Sequence, residues 1–127
     1  MVSYLTASKM TEKFERDLLR GSLDLMVLSV LADESQYGYS IQKQINAASS
    51  GKVKLPAGTL YPLLHRLESE KLIKSKWDDS TGRKRKWYEL TAKGTKRLTA
   101  QANQWQQYVE CMTGMIANFI GKPKPSS

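Results

Sequence analysis

Leu60, Leu63, Leu64 and Leu67 stand at i, i+3, i+4 and i+7, a spacing that predicts a helix with one buried side. Its other side presents Thr59, Tyr61, His65 and Arg66. Pro56 and Gly58 open this helix, and Pro62 falls in its first turn or just beyond, where a slight distortion is expected. Ile73 to Asp79 then reads as a strand, Ser80-Thr81-Gly82 as a turn, and Arg83-Lys84-Arg85-Lys86 as the start of the return strand.

Upstream, residues 14–32 carry a helical pattern that is apolar nearly all round. Leu19, Leu23, Met26, Val27 and Val30 share one face, and Leu18, Leu25 and Leu28 occupy much of the other. Such a helix is usually buried on two sides, and in a chain this small a partner subunit is the simplest second cover. Asp33 to Gln36 reads as a polar loop. A second helix starts near Gly38 with Tyr39, Ile41, Ile45 and Ala48 as its apolar positions, and Ser49-Ser50-Gly51 ends it. Lys52-Val53-Lys54-Leu55 leans towards one edge strand.

Thr91 caps a long final helix, in which Gly94 is expected to cost stability only locally. Leu98, Ala102, Trp105, Val109, Met112, Ile116 and Phe119 alternate at spacings of 4 and 3, the seam of a coiled coil or two-helix dimer interface. The fold class that follows is mainly α with a small β-hairpin: a winged helix-turn-helix plus a long C-terminal dimerisation helix. Its parts are an arm (1–13), a winged-helix domain (14–92), the dimerisation helix (93–120) and a Pro-rich tail (121–127) expected to be disordered.

Composition narrows the chemistry. Lys and Arg outnumber Asp and Glu by 20 to 12 in 127 residues, and the pI is about 9.6. That balance favours a polyanionic partner. A single cysteine, Cys111, permits neither an intramolecular disulfide nor a cysteine metal cage, and it points to a reduced, cytoplasmic setting. It lies one position off the seam, where a buried spectator thiol is the simpler reading than a redox switch. The longest nearly apolar run, Leu23 to Ala32, is too short to span a bilayer, so no membrane role is expected. No Walker loop, GxGxxG, HExxH or GxSxG motif is present, which argues against an enzyme. His65 is the only histidine, with no cysteine near it, so neither a metal nor another cofactor is expected.

Four consecutive cations, Arg83, Lys84, Arg85 and Lys86, repel one another unless an anion neutralises them. At a ribbon tip they suit a phosphate backbone or minor groove, although charge on an edge strand also guards against aggregation. The preceding helix carries groove-compatible groups, which favours double-stranded DNA. Arg66 is the best candidate for a phosphate or guanine contact, and Tyr61 for a phosphate and a thymine methyl. His65 reads equally as a base or phosphate contact and as a solvated side chain. Lys54, ahead of the helix, is counted with the DNA-facing cations. Trp77, Trp87 and Tyr88 read as packing that anchors the ribbon. Glu68 and Glu70, amid Arg66 and Lys71, read as ordinary helical ion-pair partners. Trp105, Tyr108 and Met115 read mainly as dimer core, the alternative being a cavity between subunits for a flat hydrophobic effector.

Four segments, LLRGSLDLMVLSVL (18–31), YGYSIQKQI (37–45), GTLYPLLHRLESEKLI (58–73) and GRKRKWYELTAKG (82–94), together resemble the PadR family of winged-helix transcription regulators. The resemblance runs from about Phe14 to Gly94, and the short final helix is similar to the small subfamily. It implies a homodimer with interlocked terminal helices, whose two third helices enter successive major grooves of a palindromic operator. Thr59, Tyr61, His65 and Arg66 would then lie at the groove, Ser40 and Lys43 on phosphate, and Arg83 to Lys86 in the wing. It further implies a repressor, often released by a small phenolic or drug-like ligand, with Trp105 at an interfacial pore. The rival readings are a ligand- or protein-sensing module on a winged-helix scaffold, and a binder of RNA or anionic membranes.

Overall fold

The computed structural model of the protein describes residues 22–121. The arm, the part of the expected first helix at residues 14–21 (with Leu18 and Leu19), and the tail beyond Gly121 lie outside the described residues. The described elements are α1 (Leu23–Asp33), β1 (Gln36–Tyr37), α2 (Gly38–Ala48), α3 (Ala57–Ser69), β2 (Ile73–Asp78), β3 (Arg85–Leu90) and α4 (Ala92–Ile120). None of these helices is long and apolar enough to cross a membrane.

The core gathers Val27, Leu28 and Leu31 of α1, Ile41 and Ile45 of α2, the four leucines of α3, and Leu72, Ile73 and Tyr88 from the sheet side. The leucine stripe of α3 is thus fully employed: Leu60, Leu64 and Leu67 have no solvent exposure. Two expectations for α2 do not hold, because Tyr39 and Ala48 point to solvent while Ile41 and Ile45 alone of its apolar set are buried. The helix rotates Tyr39 outwards since Gly38, its neighbour, faces inwards against α3.

The sheet has three antiparallel strands in the order β1-β3-β2. Ile73 to Asp78 pairs with Leu90 to Arg85, and Gln36 and Tyr37 pair with Tyr88 and Trp87. The third strand therefore comes from the end of the loop at Asp33–Gln36, not from residues 52–55. Side chains of α2 explain the second half of that correction. Gln42 Nε2 donates to Leu55 O at 2.8 Å and Asn46 Nδ2 to Val53 O at 3.2 Å, so these carbonyls are satisfied without a ladder. Gln36 is buried, and its Nε2 donates to Val30 O at 2.8 Å, which closes the α1–β1 connection.

Arg83 and Lys84 lie in the turn and β3 begins only at Arg85. At the end of α3, Lys71 takes φ 63° while Leu72 N donates to Leu67 O at 3.0 Å, a Schellman ending that swings the chain into β2. Thr91 caps α4 as expected, its Oγ1 accepting from Gly94 N at 3.0 Å. Gly94 does more than weaken the helix: a Cβ there would stand 2.0 Å from Leu72 O and 2.7 Å from Leu90 Cδ1. Only a bare backbone lets α4 leave the sheet at this point. Gly94→Ala is expected to destabilise the fold by about 1–3 kcal/mol, read as a lower urea midpoint with an unchanged slope.

Candidate nucleic-acid interface

The buried stripe of α3 turns Gly58, Pro62, His65 and Ser69 to solvent, with Tyr61 and Arg66 on the flanks. Gly58 and Pro62 join this face although nothing in their residue types marks them as contact groups, and Ser69 joins it with its hydroxyl donating to His65 O at 3.0 Å. His65 is exposed and Thr59 half-buried. Tyr61 is 44% exposed, and its ring lies over Gly38, where a Cβ would come within 2.6 Å of the phenol oxygen. Gly38 thus lets α2 seat this ring, so that one face of it is packed and the other open.

Arg66 sits differently from expectation. Its Nη2 meets Asp24 Oδ1 of α1 at 2.5 Å, and its Nη1 meets Glu70 Oε2 at 2.8 Å. Hydrogen bonds to Asp24 and then to Glu70 raise the guanidinium pKa above its ordinary value. Glu70 also reaches Arg97 of α4 at 3.8 Å, so the i,i+4 pair is part of a tie between α1, α3 and α4. Glu68 takes a role that helical spacing did not suggest. It accepts from Ser75 Oγ at 2.5 Å and stands 3.7 Å from Lys86 Nζ, which pins one face of the ribbon to the flank of α3.

The ribbon is braced on its other face. Tyr37 Oη donates to Asp78 Oδ2 at 2.6 Å, its ring meets Trp87 edge-on at 4.7 Å, and Arg85 lies 4.6 Å from its centroid. The Tyr37 hydroxyl, helped by the Ser80 backbone N–H, holds the Asp78 carboxyl at about 2. A depressed carboxyl pKa stabilises the folded state above the ordinary carboxylate range, and that contribution is lost as pH falls towards 2. In Tyr37→Phe the Asp78 titration is expected to move back towards about 3.9, as followed by carboxyl-carbon NMR.

Trp87 and Tyr88 pack as expected, Tyr88 being buried. Trp77 does not: it is 60% exposed, with Lys84 Nζ at 5.4 Å and Lys86 Nζ at 5.8 Å from its ring centroid. Arg83 and Lys84 are exposed at the tip. On α2, Ser40 is half-buried, and Lys43 is exposed with its Nζ 5.4 Å from the Tyr39 centroid. Lys43, Lys54, Tyr39, Gln42, Asn46 and Leu55 line a shallow hollow of about 290 Å³.

Along α4, Leu98 packs against the domain core, and Trp105 is half-buried over a cavity of about 410 Å³. Leu25, Met26, Val30, Ile45 and Val53 supply most of the apolar lining. Ala102 is exposed and Met112 half-buried, while Val109, Ile116 and Phe119 are exposed together with Tyr108, Met115 and Ile120. The last three widen the stripe beyond the seam read from spacing. Cys111, expected to be buried, is exposed in this single chain.

The profile of the transcriptional regulator PadR-like family matches residues 27–100. A transcriptional regulator from Mycobacterium tuberculosis is 33% identical over 106 residues, 84% of this chain and 96% of that protein. Among solved structures, a PadR family transcriptional regulator from Eggerthella lenta superposes with a TM-score of 0.69 at 35% identity, covering 79% of this chain and 86% of that one. A PadR-like regulator from Bacillus cereus gives 0.70 at 31% identity, covering 79% and 96%. With an exposed helix face and a basic ribbon pinned beside it, and with this sequence match over more than half its length, the chain belongs to the PadR-like family of transcriptional regulators.

Proposed function

We propose that the protein is a homodimeric, cytoplasmic repressor that occupies a palindromic operator. The observation that carries this reading is the Glu68 tether, which holds the basic ribbon beside the open face of α3. A rigid angle between the two lets α3 enter a major groove while the ribbon lies along the neighbouring backbone. Thr59, Tyr61 and His65 choose the bases. Ser40, Lys43, Lys54 and Arg83 to Lys86 take phosphates and supply most of the affinity. Arg66 acts chiefly by positioning, since two carboxylates already hold it. The exposed apolar stripe of α4 supports a second copy as its cover.

Selection of genomic fragments by the purified protein at near-physiological salt tests the reading. Recovery of an inverted repeat with half-sites about 34 Å apart is expected. Recovery of background alone would instead favour an interaction module.

A second reading concerns regulation, and the apolar cavity at Trp105 supports it. A flat hydrophobic effector seated there would lie against α1, which Asp24 ties to α3. Titration with aromatic ligands should then quench Trp105 fluorescence and release the operator together.

A further inference from the structure

Trp77 is the one large aromatic of the described ribbon that neither core nor brace uses. Tyr88 is in the core, and Trp87 meets the Tyr37 ring edge-on. A 60% exposed indole leaves apolar surface in water that a smaller residue would not. Its place in the ribbon is specific. Trp77 pairs with Lys86 and Ser75 pairs with Tyr88, and residues directly opposite in a ladder share a face. Trp77 therefore lies on the face that carries Ser75 and Lys86, the two residues that meet Glu68 of α3. It stands nearer the ribbon tip than Ser75 does, on the side turned towards α3.

The surroundings indicate what that surface would meet. Lys84 and Lys86, two residues apart, both bring their ammonium groups to the ring at cation–π distance. The acids of the ribbon are otherwise engaged or distant: Asp78 faces the opposite side in its bond with Tyr37, and Glu89 lies far from the tip, 4.0 Å from Lys74. Asp79 is the exposed acid of the turn. An apolar plate between two cations is complementary to one strand of a duplex, where an apolar sugar edge separates successive phosphates. The plainer role, an aromatic that merely shields lysines from each other, would not need the α3-facing side.

We infer that Trp77 contacts the deoxyribose–phosphate strand of duplex DNA, with its indole against a sugar and Lys84 and Lys86 on the flanking phosphates. The inference rests on the operator-binding reading and adds to it a contact that is apolar and indifferent to sequence. It involves no base, so it raises affinity for every duplex alike.

The test uses the full-length protein with Trp77→Ala and Trp77→Phe, each against its selected duplex, a scrambled duplex and a single strand. Trp77→Ala is expected to weaken both duplexes by a similar factor, about tenfold, with an unchanged salt slope because no charge is removed. Trp77→Phe should recover most of that affinity, and both variants should melt close to wild type since the ring lies outside the core. In 5-fluorotryptophan protein, the Trp77 fluorine signal should shift on adding either duplex. Equal binding by Trp77→Ala and wild type would overturn the inference, as would a loss confined to the selected duplex or to the single strand. Failure of the wild type to bind any duplex would overturn the operator reading along with it. Duplex binding by wild type with an indifferent Trp77→Ala would overturn the inference alone.

Discussion

Replacing both Val109 and Ile116 with Asp is expected to convert the protein to monomers and to lower its affinity for an inverted-repeat duplex by about 10²–10⁴-fold. Both side chains are exposed on α4, in a stripe that ends with Phe119 at 80% and Ile120 at 71% exposure. Neither belongs to the core cluster, so the domain itself should remain folded. In a dimer the second half-site is bound almost intramolecularly, and forfeiting that advantage accounts for the predicted factor. Sedimentation would show the monomer, and a duplex with one half-site would bind wild type and variant equally. A variant that stayed dimeric would place the interface elsewhere, the surface of α1 beside the Trp105 cavity being the next candidate.

The second large effect lies at the tip of the ribbon. Replacing Arg83 and Arg85 with Ala should weaken binding to all duplexes alike and reduce the salt slope by about 0.9 for each phosphate that is no longer neutralised. Arg83 is exposed in the turn, whereas Arg85 also lies over the Tyr37 ring. The single variants should therefore differ: Arg83→Ala changes only DNA binding, and Arg85→Ala also loosens the brace at Asp78. Tyr61→Ala should act otherwise, eroding the preference for one sequence, because its ring is fixed on the flank of α3. If the double variant bound as tightly as wild type at moderate salt, the phosphate-binding groups would have to be Lys84 and Lys86 of the ribbon or those of α2 and Lys54.

These effects separate three contributions. On the proposed reading the ribbon would supply charge, α3 choice, and α4 the contact with a second copy. The Asp24–Arg66–Glu70–Arg97 tie joins α1, α3 and α4, on whose mutual placement such a division depends. Each of its pairs is partly exposed and individually modest in energy. Together they link the end of α3 to α1 on one side and to α4 on the other.

Periodic spacing was sufficient for α3, the basic ribbon and the stripe of α4. Each of these repeats a local pattern that a helix or a hairpin satisfies within its own residues. Tertiary structure alone decided the features that depend on distant partners. Gln36 and Tyr37 are too short a segment to show any period, and they become a strand because the edge of β3 is open to them. Residues 52–55 have a strand-like composition, yet the amides of Gln42 and Asn46 take up their carbonyls first. Sequence offers Arg66 only its helical neighbours as partners, but folding also brings Asp24, 42 residues away, to its guanidinium. Gly94 reads as a weak spot in a helix until Leu72 O is found where its side chain would be. Trp77 looks like packing because a large aromatic in a strand usually is, and only the register with Lys86 reveals the face on which it is left uncovered. A repeated pattern is a property of neighbours along the chain, whereas a partner is a property of neighbours in space.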